Sequence, residues 1–242
     1  MSDTIWAIVV AGGRGRRFGA AKQFESFGGR QVHEWAVAGA RSVASGVVLV
    51  VPAGCESDAV LGQVADRVVA GGESRSGSVR AGLAAVPPST EIVVVHDAAR
   101  PLASPGLWRA VVQAVRDGAD CAIPGLPLSD TVKEVREGLV VGTLDRATLV
   151  RVQTPQAFGY EVLRRAHSSG AEATDDASLV EAAGGTVRVV AGEESNIKIT
   201  SPADLAYAEW QSGRGPGGVP GRGPGSVPGR GPGRVPDSEG TW

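Results

Sequence analysis

Trp6-Ala7-Ile8-Val9-Val10-Ala11-Gly12-Gly13-Arg14-Gly15-Arg16-Arg17-Phe18 is an apolar run that breaks abruptly into glycines and arginines. The first five residues are small, aromatic or β-branched, and they read as a short buried strand. A glycine-rich turn directly after such a strand lets backbone N–H groups come close to a phosphate. No Gly-Lys-Ser/Thr follows, so this is not a Walker loop, and glycines at 12, 13 and 15 lack the spacing of a dinucleotide-binding fingerprint. The loop instead carries side-chain cations at Arg14, Arg16, Arg17 and, a little further on, Lys22. That density suits a triphosphate whose phosphorus gains charge during displacement. A solvated basic loop is the plainer alternative.

Working outward, the same alternation continues through residue 210. Val47–Val51, Val68–Val69, Ile92–His96 and Cys121–Ile123 read as further buried strands. Val32–Ala44, Ser76–Ala85 and Pro105–Asp117 between them read as helices. This pattern predicts an α/β fold, a mostly parallel sheet with helices on both faces. Sites in such sheets form beyond the carboxyl ends of the strands, here after Val10, Val69 and His96. One segment departs from the alternation. Thr131–Arg136, Glu137-Gly138 and Leu139–Leu144 read as a β-hairpin, a projecting arm spanning about 128–150. A two-stranded ribbon is marginal by itself, so a second subunit is its expected partner and an edge hairpin folded onto its own sheet the alternative.

The chain has 242 residues, 42% of them hydrophobic and 21% charged, and a net charge of −2. Those values fit a globular domain able to fold without disulfides or structural metal, and they give no electrostatic case for a nucleic-acid partner. Cys55 and Cys121 stand apart from any metal-binding spacing and read as free thiols. No apolar run is long enough to span a membrane, and the N-terminus lacks the basic start of a signal peptide. A cytoplasmic protein is expected. Beyond residue 210, Gly-Arg-Gly-Pro-Gly-x-Val-Pro recurs from Gly213, Gly221 and Gly229, with nothing to bury. The expected domains are therefore residues 1–210, folded, and 211–242, a disordered repeat tail.

Three further stretches carry chemistry. In His96-Asp97-Ala98-Ala99-Arg100-Pro101, Asp97 suits a ribose hydroxyl or a magnesium ion, and Arg100 an anionic substrate; a turn-capping Asp paired with that Arg is the structural alternative. His96 reads as a satisfied strand-end histidine. Gly71-Gly72-Glu73-Ser74-Arg75-Ser76-Gly77-Ser78 precedes a helix, and its backbone groups suit a cytosine edge; helix capping by Ser76 is compatible with that role. Thr154-Pro155-Gln156, Thr174-Asp175-Asp176-Ala177-Ser178 and Asn196-Ile197-Lys198-Ile199-Thr200 are each weak taken singly.

Taken in order, AGGRGRRFG, AKQF, HDAARP, DTVK, LDR, TPQAF, TDDAS and NIKIT resemble the 2-C-methyl-D-erythritol 4-phosphate cytidylyltransferases over residues 4–210. The resemblance implies a Rossmann-like nucleotidyltransferase fold and transfer of CMP from CTP to a polyol phosphate, with magnesium held mainly by the substrate phosphates. It places Arg17, Lys22 and Lys198 around the reacting phosphorus. It puts cytosine recognition on Ala11, Gly72, Glu73 and Ser78, and nucleotide contacts also on Gly12, Gly13, Asp97 and Ala98. Arg100, Thr154 and Thr174 fall at positions lining the acceptor pocket. Thr131 and Arg146 match the pair that the family's arm supplies across a homodimer. Val10, Gly12 and Glu73 stand where the family usually has proline, alanine and aspartate, changes that keep size or charge class. Ribitol-5-phosphate cytidylyltransferases share the AGG start, but Ala98-Ala99, the Thr131/Arg146 pair and Thr-Asp-Asp-Ala-Ser argue against them. Nucleotidyl transfer to a molybdenum cofactor would leave the arm without a role. A CTP-binding module without catalysis is opposed by the retained cations, and a sugar-nucleotide glycosyltransferase by the missing Asp-x-Asp.

Overall fold

The computed structural model describes residues 4–12 and 24–213. Its centre is an eight-stranded, mostly parallel sheet. Strands β1 (Ile5–Val10), β4 (Gly46–Val51), β5 (Arg67–Ala70) and β6 (Ile92–Asp97) form its parallel half in the order β6-β1-β4-β5. Each was expected from the sequence to within a residue or two. Helices α1 (Val32–Ala40), α2 (Ala59–Val64) and α4 (Pro105–Arg116) pack on one face. Helices α3 (Arg75–Ala85), α5 (Tyr160–Ala166) and α6 (Asp176–Ala182) pack on the other. The alternation of strand side chains decides which: Ala7, Val9, Leu49 and Val94 face the first layer, Ile8, Val48, Val50 and Val95 the second. Both layers are apolar, as a sheet buried on both faces requires.

Of the strands in the second half of the sheet, the apolar runs announced only the one that begins at Cys121. β7 (Cys121–Pro127) is flanked on one side by β12 (Val187–Ala191), parallel to it. On its other side run β10 (Val150–Val152) and β11 (Gln156–Gly159), both antiparallel, and β11 joins β7 to β6. Between β10 and β11 the backbone of Gln153 still donates to Pro124, and Thr154 leaves the ladder toward the end of β6. Two residue pairs, β2 (Ser26–Phe27) and β3 (Arg30–Gln31), make a small separate ribbon.

Strands β8 (Val132–Arg136) and β9 (Leu139–Leu144) form the arm and pair with each other as a two-stranded sheet. Glu137 and Gly138 both adopt left-handed conformations, φ 50° and 81°, the turn that matches the twist of paired strands. Leu139 is 72% exposed and Val140 62%.

One helix ends earlier than expected, and the last was not announced by the sequence. α1 stops at Ala40 rather than Ala44, because Ser42 turns its hydroxyl onto the Gly39 carbonyl at 2.6 Å. The last helix, α7 (Pro202–Gln211), starts at a Ser201–Asp204 capping box and ends with Gly213 at φ 71°. Gly213, the first residue of the repeat, thus serves as the left-handed cap of α7. The remaining tail, residues 214–242, lies outside the described residues. No described helix is long and apolar enough to cross a membrane.

Candidate active site

Three loops leave the carboxyl ends of the parallel strands side by side. Ala11 donates its N–H to Val50 at 2.7 Å, Ala98 to Val10 at 3.0 Å and Gly71 to Val51 at 2.7 Å. The loops after β1, β5 and β6 are therefore stitched together before any side chain acts. Ser78, on the first turns of α3, lies under two of them: a methyl group at Gly12 would stand 3.4 Å from its Oγ and one at Gly71 only 2.9 Å. A methyl group at Gly72 would come within 2.8 Å of the Gly77 backbone. This loop needs glycine because of close approach. Ser74, not Ser76, caps α3 by accepting from Gly77 N–H at 2.9 Å. Ser76 is one residue inside the helix, and its hydroxyl instead accepts from Ala173 N–H at 3.2 Å. Glu73 is exposed on the loop.

Asp97 ends β6 at the middle of this edge. Its Oδ2 accepts from Lys198 Nζ at 2.6 Å and its Oδ1 from Arg75 Nε at 3.4 Å. Burial alone would raise the Asp97 carboxyl, but Lys198 and then Arg75 outweigh it and hold the group well below the usual carboxylate range. The group is an anion flanked by two cations. Among the described residues, no three His, Cys, Asp or Glu side chains gather to hold a metal.

Below Asp97 a neutral network fixes its backbone. His96 is fully buried, and burial draws its pKa down to about 4 despite the opposing charge of Asp97. Its Nε2 lies 2.9 Å from the Arg100 carbonyl, which only accepts, so Nε2 carries the proton. Nδ1 is then an acceptor, and the Thr154 hydroxyl at 3.0 Å donates to it. Thr154 Oγ1 in turn accepts the Asp97 N–H at 3.0 Å. Thr154 is buried, and its hydroxyl proton is committed within the protein.

Lys198 is carried by a loop, not a strand, and side chains not singled out in the sequence anchor that loop. Gln153 donates to the carbonyls of Glu193 at 2.8 Å and Asn196 at 3.1 Å, and Asn196 donates to the Thr154 carbonyl at 2.9 Å. Ile199 N–H reaches the Ala99 carbonyl at 2.8 Å. Arg100 bridges the same loop, donating to Asn196 O at 2.9 Å and Val152 O at 3.4 Å. Burial lowers its pKa below the ordinary arginine value.

Ala11, Gly12, Gly72, Ser78, Asp97, Ala98, Arg100, Thr154 and Lys198 thus meet at one end of the sheet. Thr174 is exposed just before α6, which Asp175 caps by accepting from Ser178 N–H at 3.1 Å. Thr131 and Arg146 are exposed at the base of the arm, Arg146 donating to the Ser129 carbonyl. Gly13, Arg17 and Lys22 lie outside the described residues. Arg75, Asp176 and His167 were missed: long-range ion pairs leave no periodic trace in a sequence, although Arg75 and Asp176 both sit inside motifs already noted.

A family model described as IspD: 2-C-methyl-D-erythritol 4-phosphate cytidylyltransferase matches residues 5–213. The 2-C-methyl-D-erythritol 4-phosphate cytidylyltransferase of Pelotomaculum thermopropionicum is 46% identical over 224 residues, covering 86% of this chain and 93% of that one. A bifunctional enzyme IspD/IspF of Nitratidesulfovibrio vulgaris is 44% identical over 229 residues, 84% of this chain, and the match spans only 57% of the bifunctional protein's length. Among solved structures, the 2-C-methyl-D-erythritol 4-phosphate cytidylyltransferase of Thermus thermophilus superposes with a TM-score of 0.73 at 35% identity, over 88% of this chain and 99% of that one.

Proposed function

This chain belongs to the 2-C-methyl-D-erythritol 4-phosphate cytidylyltransferase family, and from that membership we propose that it transfers CMP from CTP to 2-C-methyl-D-erythritol 4-phosphate, releasing pyrophosphate. The observation that carries the reading is the meeting of Asp97 and Lys198 beside the glycine loops at the carboxyl end of the parallel strands.

The acceptor's phosphate attacks the α-phosphorus of CTP. A phosphate monoester has a second pKa near ~6 and is mostly dianionic at neutral pH, so no general base is required. The obstacle is the repulsion between two polyanions. Lys198, with Arg17 and Lys22 from the first loop, counters it and favours the crowded, highly charged transition state. Ala11, Gly72, Glu73 and Ser78 read the cytosine, and Gly12, Gly13, Asp97 and Ala98 hold the ribose and phosphates. Magnesium, when bound, supplies further neutralisation of the triphosphate. Asp97 is a single carboxylate already facing two cations, which fits an ion carried on substrate phosphates better than one caged by protein ligands.

The reading extends to a homodimer built through the arm. Pairing sets Val132 opposite Leu144 on one side of the ribbon and Val135 opposite Val140 on the other, so each side carries an apolar cross-strand pair. Val135, Val140 and Leu144 are 55%, 62% and 44% exposed. A partner covering them would receive Thr131 and Arg146 near its acceptor pocket, where Arg100 and Thr174 complete the set. Cys55 and Cys121 are free, as suits the cytoplasm.

The test is pyrophosphate release from CTP and magnesium, with 2-C-methyl-D-erythritol 4-phosphate and ribitol 5-phosphate offered in parallel. Release with the first alone, abolished by a chelator, is expected. Release with ribitol 5-phosphate alone, or with neither, overturns the assignment.

A further inference from the structure

Three groups beneath the site, His167, Asp176 and Arg75, have no part in the reaction just described. Asp176, the first residue of α6, is fully buried. Its Oδ1 faces His167 Nε2 at 3.0 Å, and its Oδ2 accepts from Arg75 Nη1 at 2.8 Å. Arg75, the first residue of α3, turns its Nε to Asp97 Oδ1, and Lys198 occupies the other Asp97 oxygen. The line His167–Asp176–Arg75–Asp97–Lys198 thus runs from the α5–α6 layer to the loop that bears Lys198. Burial works against the charge on Arg75, but Asp176 and then Asp97 outweigh it and raise its pKa.

A buried ion pair is weak grounds for stability, since well-packed apolar groups often do as well. The geometry here does something apolar groups cannot. One planar guanidinium divides its donors between two carboxylates, one rooted in α6 and the other in the nucleotide edge of the sheet. It also stands on the helix whose Ser78 lies beneath the Gly12 and Gly71 turns. In the proposed reaction Lys198 is drawn toward the phosphates. Arg75 then remains as the cation that keeps the Asp97 carboxylate aimed.

We propose that Arg75, held by Asp176, is a positioning residue for CMP transfer, acting through Asp97 and not by touching either substrate. Asp176 is the anchor that keeps the guanidinium from swinging to solvent, and His167 fixes the anchor. This rests on the cytidylyltransferase reading of the site.

The experiment is a double-mutant cycle in the full chain, reading kcat/KM for CTP by pyrophosphate release together with thermal melting. Arg75→Lys keeps the charge but loses the fork; it is expected to lower kcat/KM about tenfold, at temperatures well below its melting point. In an Asp97→Asn background the same change is expected to cost less than about threefold, because its target has already been altered. Arg164→Gln, which breaks an exposed pair with Glu161, is expected to change nothing. Asp176→Asn, expected to match Arg75→Lys, is a second variant, and Arg75→Lys carries the test should Asp176→Asn fail to fold. Equal losses in both backgrounds, or turnover of Arg75→Lys within twofold of the parent, overturn the proposal. An unmutated chain that neither binds CTP nor releases pyrophosphate sinks the underlying reading instead.

Discussion

Lys198 and Asp97 are 101 residues apart in the chain, and their Nζ and Oδ2 atoms are 2.6 Å apart in the fold. The pair joins a C-terminal loop to the end of a central strand, so a cation from outside the parallel half of the sheet arrives beside its nucleotide edge. The Lys198 side chain is 41% exposed, which leaves it free to exchange Asp97 for a phosphate and makes it a poor source of stability.

Replacing Lys198 by alanine is therefore expected to leave the melting temperature nearly unchanged while turnover falls on the order of 10²-fold, the usual consequence of losing a preorganised cation. Steady-state pyrophosphate release alongside a thermal melt checks both halves. Turnover within a few-fold of the parent would remove Lys198 from the reacting set.

Gly72 gives a prediction of a different kind. The added methyl group of Gly72→Ala would stand 2.8 Å from the Gly77 carbonyl carbon, and backbone cannot rotate out of the way. The loop must shift, at a cost of about 1–3 kcal/mol in stability. Because the proposed cytosine reader is that loop, the KM for CTP should rise more than kcat falls. An unchanged KM for CTP in the folded variant would take Gly72 out of base recognition.

The parallel half of the fold was legible because Trp6–Val10, Val47–Val51 and Ile92–Val95 are uninterrupted apolar runs, as strands buried on both faces must be. β10, β11 and β12 were not. Val150-Arg151-Val152 is too short to show a period, and Val187–Ala191 is half exposed and interrupted by Arg188. The arm was legible through Glu137-Gly138, because few residue pairs accept two left-handed conformations. At the site, the motifs carrying Asp97 and Lys198 could be recognised one by one, but nothing in their spacing encodes a contact. Arg75 and Asp176 were hidden for the same reason: each reads locally as a residue at a helix start, and only the packing of α3 against α6 makes them a pair.

The exposed apolar pair Val135 and Val140 of the arm predicts an assembly. If Val135 and Val140 are covered by a second copy, Val140→Lys places a charge in that contact and should convert a dimer to a monomer in sedimentation velocity. Turnover should fall with it, because Thr131 and Arg146 would no longer reach a partner's pocket. A parent protein that sediments as a monomer at assay concentration would refute the arm-mediated dimer.

His96 sets a dependence on pH whose sign follows from its burial. In the unfolded chain its imidazole titrates near the ordinary value of about 6.5, whereas in the fold its pKa is drawn down to about 4. Between these values the unfolded state binds more protons, so stability is full above the higher pKa, declines as pH falls toward the lower one, and levels off beneath it. At about 1.4 kcal/mol per unit, this one residue accounts for roughly 3 kcal/mol across the window. Protonation leaves the Nε2 donation to the Arg100 carbonyl in place but turns Nδ1 into a donor, so Thr154 can no longer donate to it, and the hydroxyl that accepts the Asp97 N–H is disturbed. Urea unfolding at about pH 7.5 and about pH 4.5 should show a steep loss in the parent protein and a flatter one in His96→Gln. The variant will begin from a lower stability, having lost the buried ring and its contact with Trp108, so the comparison lies in the slopes. Identical slopes would mean that His96 titrates in the fold as it does in water, and that the neutral network beneath Asp97 is not what holds it.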